Sequence, residues 1–142
     1  MAEQANKLTG NEIEAANRAE ATALLIRTGY RVYRPEADCY GEDLLVRTPR
    51  GDLLSVQLKG RLTADWMRYG GHSLWMLFPG SKFKTGVERK WFLVPHDRLY
   101  EWLKGRHAHT PKWKELWNCQ TVGKPDAEFL DDYAIIPSSD PK

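Results

Sequence analysis

The segment 43–59 most constrains what this chain can fold into. Two short runs with high β-propensity, 43–47 and 53–59, flank the connector 48–52, which contains proline, glycine and aspartate. These residue types favour a tight turn, so the segment is predicted to form a β-hairpin. If the turn centres on Arg50, the sequence numbers of paired residues sum to 100.

Side chains alternate between the two faces of the predicted hairpin. One face of the second run is apolar and carries Leu54, Val56 and Leu58. Gln57 and Lys59 point to the other face, separated by about 6.6 Å along the strand. The register places Asp43 opposite Gln57, with Cβ atoms about 4.5–5.5 Å apart. The hairpin is therefore expected to bring a carboxylate, an amide and a lysine together.

These three groups suit the hydrolysis of a phosphodiester bond. Carboxylate and amide oxygens are hard ligands that hold Mg²⁺, and the metal polarises phosphoryl oxygens and lowers the pKa of its bound water. A neighbouring lysine can orient or deprotonate that water and offset phosphate charge. Hairpins with one polar face are also common in proteins that catalyse nothing, so the spacing alone leaves catalysis open.

A helix is predicted over residues 10–28, which are rich in Ala, Glu, Leu and Arg. Thr9 or Asn11 can cap its N-terminus, with Glu12 or Glu14 three residues further on, as in a capping box.

Further elements follow this helix. Gly29 is placed where a helix needs a left-handed C-terminal residue. Strands are predicted over 30–34, 74–78 and 91–94, and a polar, basic loop over 79–90. Two more helices are expected, one over 97–104 closed by Gly105 and one that begins at Pro111 and carries Trp113, Leu116 and Trp117.

The order of these elements predicts a single α/β domain of 142 residues, with a central mixed sheet flanked by helices. Its core is expected over residues 10–104, followed by a C-terminal helical extension over 105–136. No long apolar run is present, and Met1–Gln4 lacks the pattern of a signal peptide. We therefore expect no membrane association and a cytoplasmic location.

A longer set of motifs runs through residues 10–61. It comprises Gly29-Tyr30-Arg31-Val32, Pro35, Tyr40-Gly41-Glu42-Asp43-Leu44-Leu45-Val46, Gly51 and Val56-Gln57-Leu58-Lys59. This set resembles the PD-(D/E)XK nuclease superfamily, and it is similar to small Holliday junction resolvases and intron-encoded endonucleases of this fold. The resemblance implies a restriction-endonuclease-like domain, and it is faint beyond residue 61.

The resemblance assigns roles to residues of the hairpin. Asp43 matches the metal-binding aspartate, Gln57 the Glu/Gln position and Lys59 the catalytic lysine, while the backbone carbonyl of Leu58 is implied as a further metal ligand. The chain departs from the family pattern at two positions. Glu42 stands where a proline commonly precedes the aspartate, and neutral Gln57 stands where an acid is commoner, which is compatible with an active site or with a lost one.

A second carboxylate is expected from the first helix, where family members often carry a glutamate facing the site. Glu14 fits a Gly-x-x-x-Glu start from Gly10. Glu20 lies on a stripe with apolar residues, and a carboxylate there requires a partner or a metal. Both glutamates remain candidates at this stage.

Basic residues of the later loops are candidates for phosphate contacts, although ordinary surface charge is the commoner reason for such residues. They are Arg61, Arg68, Lys82, Lys84, Arg89 and Lys90. The net charge of +2 permits nucleic-acid binding without requiring it.

Three hypotheses follow. The first is a Mg²⁺- or Mn²⁺-dependent DNA endonuclease, expected to be a homodimer because cutting both strands usually takes two active sites. The second is a catalytically inactive, nuclease-like module that binds DNA or protein. The third takes the six tryptophans as an oligomer interface and predicts no nucleic-acid affinity.

Overall fold

The computed structural model of the chain describes residues 7–37 and 39–136. The N-terminal residues on which the cytoplasmic prediction depends lie outside this part. The strands are β1 (Arg31–Tyr33), β2 (Leu44–Arg47), β3 (Leu53–Leu58), β4 (Leu62–Asp65), β5 (Leu74–Pro79), β6 (Trp91–Pro95) and β7 (Leu116–Cys119). The helices are α1 (Gly10–Arg27), α2 (Trp66–Tyr69), α3 (His96–His107) and α4 (Lys124–Leu130), followed by a 3-10 turn over Asp131–Tyr133.

Five strands form a mixed sheet in the order β1-β2-β3-β5-β6. The β3–β5 pair is parallel and the other pairs are antiparallel. Strands β4 and β7 form a separate antiparallel pair. The predicted class, an α/β domain with a central mixed sheet flanked by helices, is confirmed.

The hairpin register agrees with the sequence argument. Leu44 pairs with Val56 and Val46 with Leu54, so the paired numbers sum to 100. The connector closes through a 2.7 Å hydrogen bond from the Thr48 N–H to the Asp52 carbonyl. Glycine at position 51 adopts φ +102°, a conformation that costs other residues steric energy. Local turn chemistry therefore fixes the pairing of β2 with β3.

Of the two caps that the sequence allows for helix α1, Thr9 and Asn11, the structure uses Thr9. The Thr9 hydroxyl accepts from the Glu12 N–H at 3.1 Å, and the Glu12 carboxylate accepts from the Thr9 N–H at 2.8 Å. Its buried residues are Asn17, Ala21, Leu24 and Leu25, a helical spacing that turns one stripe toward the sheet. The helix ends at Arg27 with Thr28 as its C-cap, and Gly29 follows with φ +95°.

The sheet separates two apolar clusters. The cluster on the α1 side includes Leu25, Val46, Val56, Leu77 and Trp91. The cluster on the α3 side includes Met76, Phe78, Val94, Leu99 and Leu103. Strands β5 and β6 contribute to both clusters, which explains their continuous apolar sequences.

The region after residue 104 differs from the prediction. Helix α3 continues through Gly105 to His107, and the helix expected to begin at Pro111 is wrong. Leu116–Cys119 forms β7, because its backbone pairs with β4 in the register Leu62↔Cys119 to Asp65↔Leu116. The extension over 105–136 is thus part strand and part helix. Long-range strand pairing overrides the helical spacing of its tryptophans.

Candidate active site

A depression of about 180 Å³ lies where the start of β2 and the end of β3 meet the first half of α1. Its lining residues are Glu14, Asn17, Arg18, Asp43, Gln57, Leu58, Lys59 and Gly60. The structure therefore brings together the hairpin residues that the sequence singled out, and it adds Glu14 from the helix.

The backbone of β3 orients the Asp43 carboxylate. Its Oδ2 accepts a 3.0 Å hydrogen bond from the Leu58 N–H, and the Asp43 N–H donates to the Val56 carbonyl at 2.7 Å. The residue is exposed to solvent. Partial desolvation by the surrounding protein nevertheless raises the pKa of its carboxylate, and the negative charge of Glu14 raises it further. The Leu58 N–H, Lys59 and Arg18 oppose the rise. Two carboxylates and two cationic side chains thus interact electrostatically within one depression.

Gln57 carries a buried acceptor without a partner. The residue is 8% exposed, and its Oε1 has no hydrogen-bond donor among the described residues. Gly41, at φ +92°, gives it room, since a Cβ at that position would lie 3.1 Å from Oε1 and 3.3 Å from Cε1 of Tyr69. An unsatisfied buried carbonyl costs about 1–3 kcal/mol, so this oxygen is suited to accept from a donor or to bind a cation.

Lys59 follows β3 directly, and its N–H donates to the Leu77 carbonyl at 2.9 Å. Its ammonium nitrogen lies 5.5 Å from the centroid of the Tyr69 ring. The guanidinium carbon of Arg68 lies 5.2 Å from the same centroid, so Arg68 stands beside the depression without lining it. The buried tyrosine therefore supports both cations through their attraction to its ring.

One helix face supplies the remaining side chains. Glu14, Asn17 and Arg18 are related by the i, i+3 and i+4 spacing that brings helical side chains together. Glu14 was predicted from the sequence as a site residue, whereas Asn17 and Arg18 were not. Their spacing from Glu14 is the signal that could have identified them.

The structure places Glu20 elsewhere. Its Oε1 accepts from Arg89 at 2.7 Å, and its Oε2 accepts from the Trp91 indole N–H at 2.9 Å. Burial acts to raise the pKa of Glu20, but the bonds from Arg89 and Trp91 outweigh it and the pKa is lowered. A carboxylate at this position of the helix requires a partner, and that partner is the buried Arg89.

The basic residues fall into three groups. Arg61 and Lys82 line a second depression beside the first, while Lys84 is exposed and is not among the described residues that line either one. Arg89 is 8% exposed and bonded to Glu20, so it cannot contact phosphate as the sequence suggested.

The donor set can be compared with the needs of Mg²⁺, which prefers oxygen ligands from one or two carboxylates. Asp43 and Glu14 supply carboxylates, and the unpartnered Oε1 of Gln57 supplies a neutral oxygen. Across residues 7–37 and 39–136, no three His, Cys, Asp or Glu side chains group as a metal-binding cluster. The residues present therefore fit a magnesium-type ion with few protein ligands, two of them carboxylates and one a neutral amide.

The fold is similar to that of a bacterial homing endonuclease, I-Ssp6803I, with a TM-score of 0.50 and 16% sequence identity. The similarity covers 83% of this chain and 80% of the other. At this identity it shows that the two share a fold. No protein-family model matches the chain, and no curated protein matches its sequence. Within the described part of the chain, no helix is both long and apolar enough to cross a membrane.

Proposed function

We propose that the chain is a Mg²⁺- or Mn²⁺-dependent DNA endonuclease of the PD-(D/E)XK type. The observation that carries the proposal is that one depression is lined by the oriented carboxylate of Asp43, by Lys59 and by Gln57, whose buried Oε1 has no donor among the described residues. In this proposal Gln57 is a neutral residue of the site, and the site can still bind metal.

Each residue has a proposed role. Asp43, Glu14 and Gln57 would hold the metal, with the Leu58 carbonyl as a further ligand. The metal, when bound, would polarise the phosphoryl group and lower the pKa of its bound water. Lys59 would orient or deprotonate the attacking water and offset the charge of the phosphate. The hydrogen bond from the Leu58 N–H holds Asp43 in place before substrate arrives.

DNA is the proposed substrate on two grounds. The structurally similar I-Ssp6803I is a homing endonuclease. Lys59 and Arg18 lie in the first depression, and Arg61 and Lys82 lie in the second, which suits a polyanionic strand. We also propose a homodimer, because cutting both strands of a duplex usually takes two sites. A monomeric mass by light scattering during double-strand cleavage would exclude it.

The proposal is tested by incubating plasmid, linear, branched and single-stranded DNA with the protein and Mg²⁺ or Mn²⁺. The wild type is expected to cut at least one of these. Asp43→Ala and Lys59→Ala should each slow cleavage about a hundredfold or more, because they remove a metal ligand and the group that acts on water.

Matched controls separate these effects from changes in surface charge. Asp52→Ala removes a carboxylate from the exposed tip of the same hairpin, and Lys112→Ala removes an exposed lysine that lines neither depression. Both should cleave as the wild type does. Cleavage that persists in Asp43→Ala, or that continues in EDTA, would contradict the proposal.

A second candidate is a nuclease-like module that binds DNA without cutting it. It is favoured by the amide at position 57 and by the absence of a cluster of three His, Cys, Asp or Glu groups among the described residues. This candidate predicts DNA affinity unaffected by EDTA and no cleavage with manganese. The same incubation, combined with a binding titration, distinguishes the two.

A further inference from the structure

The second depression adjoins the candidate active site. It has a volume of about 240 Å³ and shares Asn17 and Gly60 with the first. Gly60 leaves the boundary open, because a Cβ there would lie 3.1 Å from Nδ2 of Asn17. Arg61 and Lys82 also line it. No carboxylate is among its described lining residues, whereas the first depression contains Asp43 and Glu14.

Asn17 presents a fixed donor at this boundary. The residue is 7% exposed, and its Oδ1 accepts from the Arg89 guanidinium. A guanidinium carries only donors, so the amide oxygen must face Arg89 and the amide nitrogen must face away. The hydrogen bond to Oδ1 is the one that the Asn17 side chain makes among the described residues, so Nδ2 donates to none of them. The asparagine is therefore buried, oriented and has an available N–H donor next to Gly60.

Arg89 fixes both sides of the second depression. Besides Asn17 and Glu20, it donates from Nη1 to the Ser81 carbonyl at 2.8 Å, immediately before Lys82. Its guanidinium carbon lies 5.3 Å from the ring centroids of both Phe83 and Trp91. One buried cation thus joins α1 to the segment that carries Lys82.

We propose that Asn17, Arg61 and Lys82 bind a second phosphate of the substrate strand, next to the phosphate attacked at Asp43 and Lys59. This inference rests on the proposed function, in that it takes a nucleic-acid strand as the ligand. A strand carries one charge per nucleotide, so a site with acids for metal and an adjoining site with cations and no described carboxylate match two successive phosphates. The first phosphate is bound with metal and the second without it.

The test measures binding in EDTA of a labelled duplex oligonucleotide, over a series of salt concentrations, to Asp43→Ala protein. Lys82→Ala and Arg61→Ala, added to this background, should each weaken binding about threefold to tenfold and reduce the salt slope by about one. Both residues are exposed, so the folding of these variants is not at risk. Asn17→Asp keeps the acceptor for Arg89, loses the donor and should also weaken binding.

Lys84→Ala is the matched control, since it removes a lysine from the same segment but outside the depression. Variants of Lys82 and Arg61 that bind as this control does would overturn the second phosphate site and leave the proposed nuclease intact. Weakened binding with no cleavage by the wild type would support the site and reject the nuclease. A wild type that binds no oligonucleotide at low salt would overturn both.

Discussion

At the residue scale, the contrast between Glu14 and Glu20 is the most informative feature of the molecule. Both lie on α1, but Glu14 faces the depression with Asp43, whereas Glu20 pairs with a guanidinium whose side chain is only 1% exposed. A buried charge is costly unless it is paired and hydrogen-bonded. Glu20 is therefore a structural residue, and Glu14 is the helix acid of the proposed site.

We predict that Glu20→Ala lowers the free energy of unfolding by about 3 kcal/mol, because it leaves Arg89 buried without its partner. Glu14→Ala should change it by less than about 0.5 kcal/mol and should impair cleavage instead. Urea denaturation measures both. Equal destabilisation by the two substitutions would contradict the assignment.

The lowered pKa of Glu20 gives an independent check on this prediction. Its stabilising contribution is present above the ordinary carboxyl value of 4.5 and is lost as the pH falls through the lowered folded value. The stability difference between wild type and Glu20→Ala should therefore shrink in acid.

At the scale of elements, His96 joins β4 to α3. Its Nε2 accepts from the Asp65 N–H at 2.9 Å, so its Nδ1 carries the proton and donates to Asp97 at 2.8 Å. The ring is fully buried against Tyr69 and Tyr100. Burial lowers the pKa of His96 even though Asp97 and Asp65 oppose the shift. Protonation would remove the acceptor that holds the two elements together.

We predict that the free energy of unfolding falls as the pH drops below the ordinary histidine value of 6.5, because the unfolded chain takes up the proton first. The slope attributable to His96 is at most about 1.4 kcal/mol per pH unit. Urea denaturation between pH 5 and 7.5 measures it, and His96→Gln should reduce the slope.

The exposed His109 provides the control, since His109→Gln should leave this slope unchanged. Burial also lowers the pKa of His107, so a residual slope is expected in both variants. The prediction fails if His96→Gln and His109→Gln follow the same curve.

At the scale of the whole molecule, the candidate site lies where α1 meets the start of β2 and the end of β3. Its oxygens therefore come together only in the folded chain, and an ion bound there stabilises the native state relative to the unfolded one. The charges of Asp43 and Glu14 repel one another when no metal ion is bound, so the stabilisation by a bound ion should be strong.

We predict that Mn²⁺ at 100 times its dissociation constant raises the free energy of unfolding by about 2.7 kcal/mol. This corresponds to a rise in Tm of roughly 10 °C for a chain of this size. Thermal melts with manganese and with EDTA measure it. Asp43→Ala should lose the shift and Asp52→Ala should keep it, so an equal shift in both variants would place the ion elsewhere.

The sequence by itself determined the local features of this protein. The cap of α1 at Thr9, the turn over 48–52 and the register that pairs Leu44 with Val56 follow from interactions within a few residues or across one short hairpin. The lysine two positions after Gln57 belongs to the same geometry, because strand side chains alternate. These features were predicted correctly because nearby residues decide them.

Only the tertiary structure decided which helix acid lies beside Asp43 and what the second half of the chain forms. Arg89 reaches Glu20 across 69 positions and Asn17 across 72, and β7 is a strand because β4 is available to pair with it. Spacing along a sequence does not reveal such partners. A half-buried carboxylate or an apolar stripe fits several environments, and the free energy of the final packing selects among them.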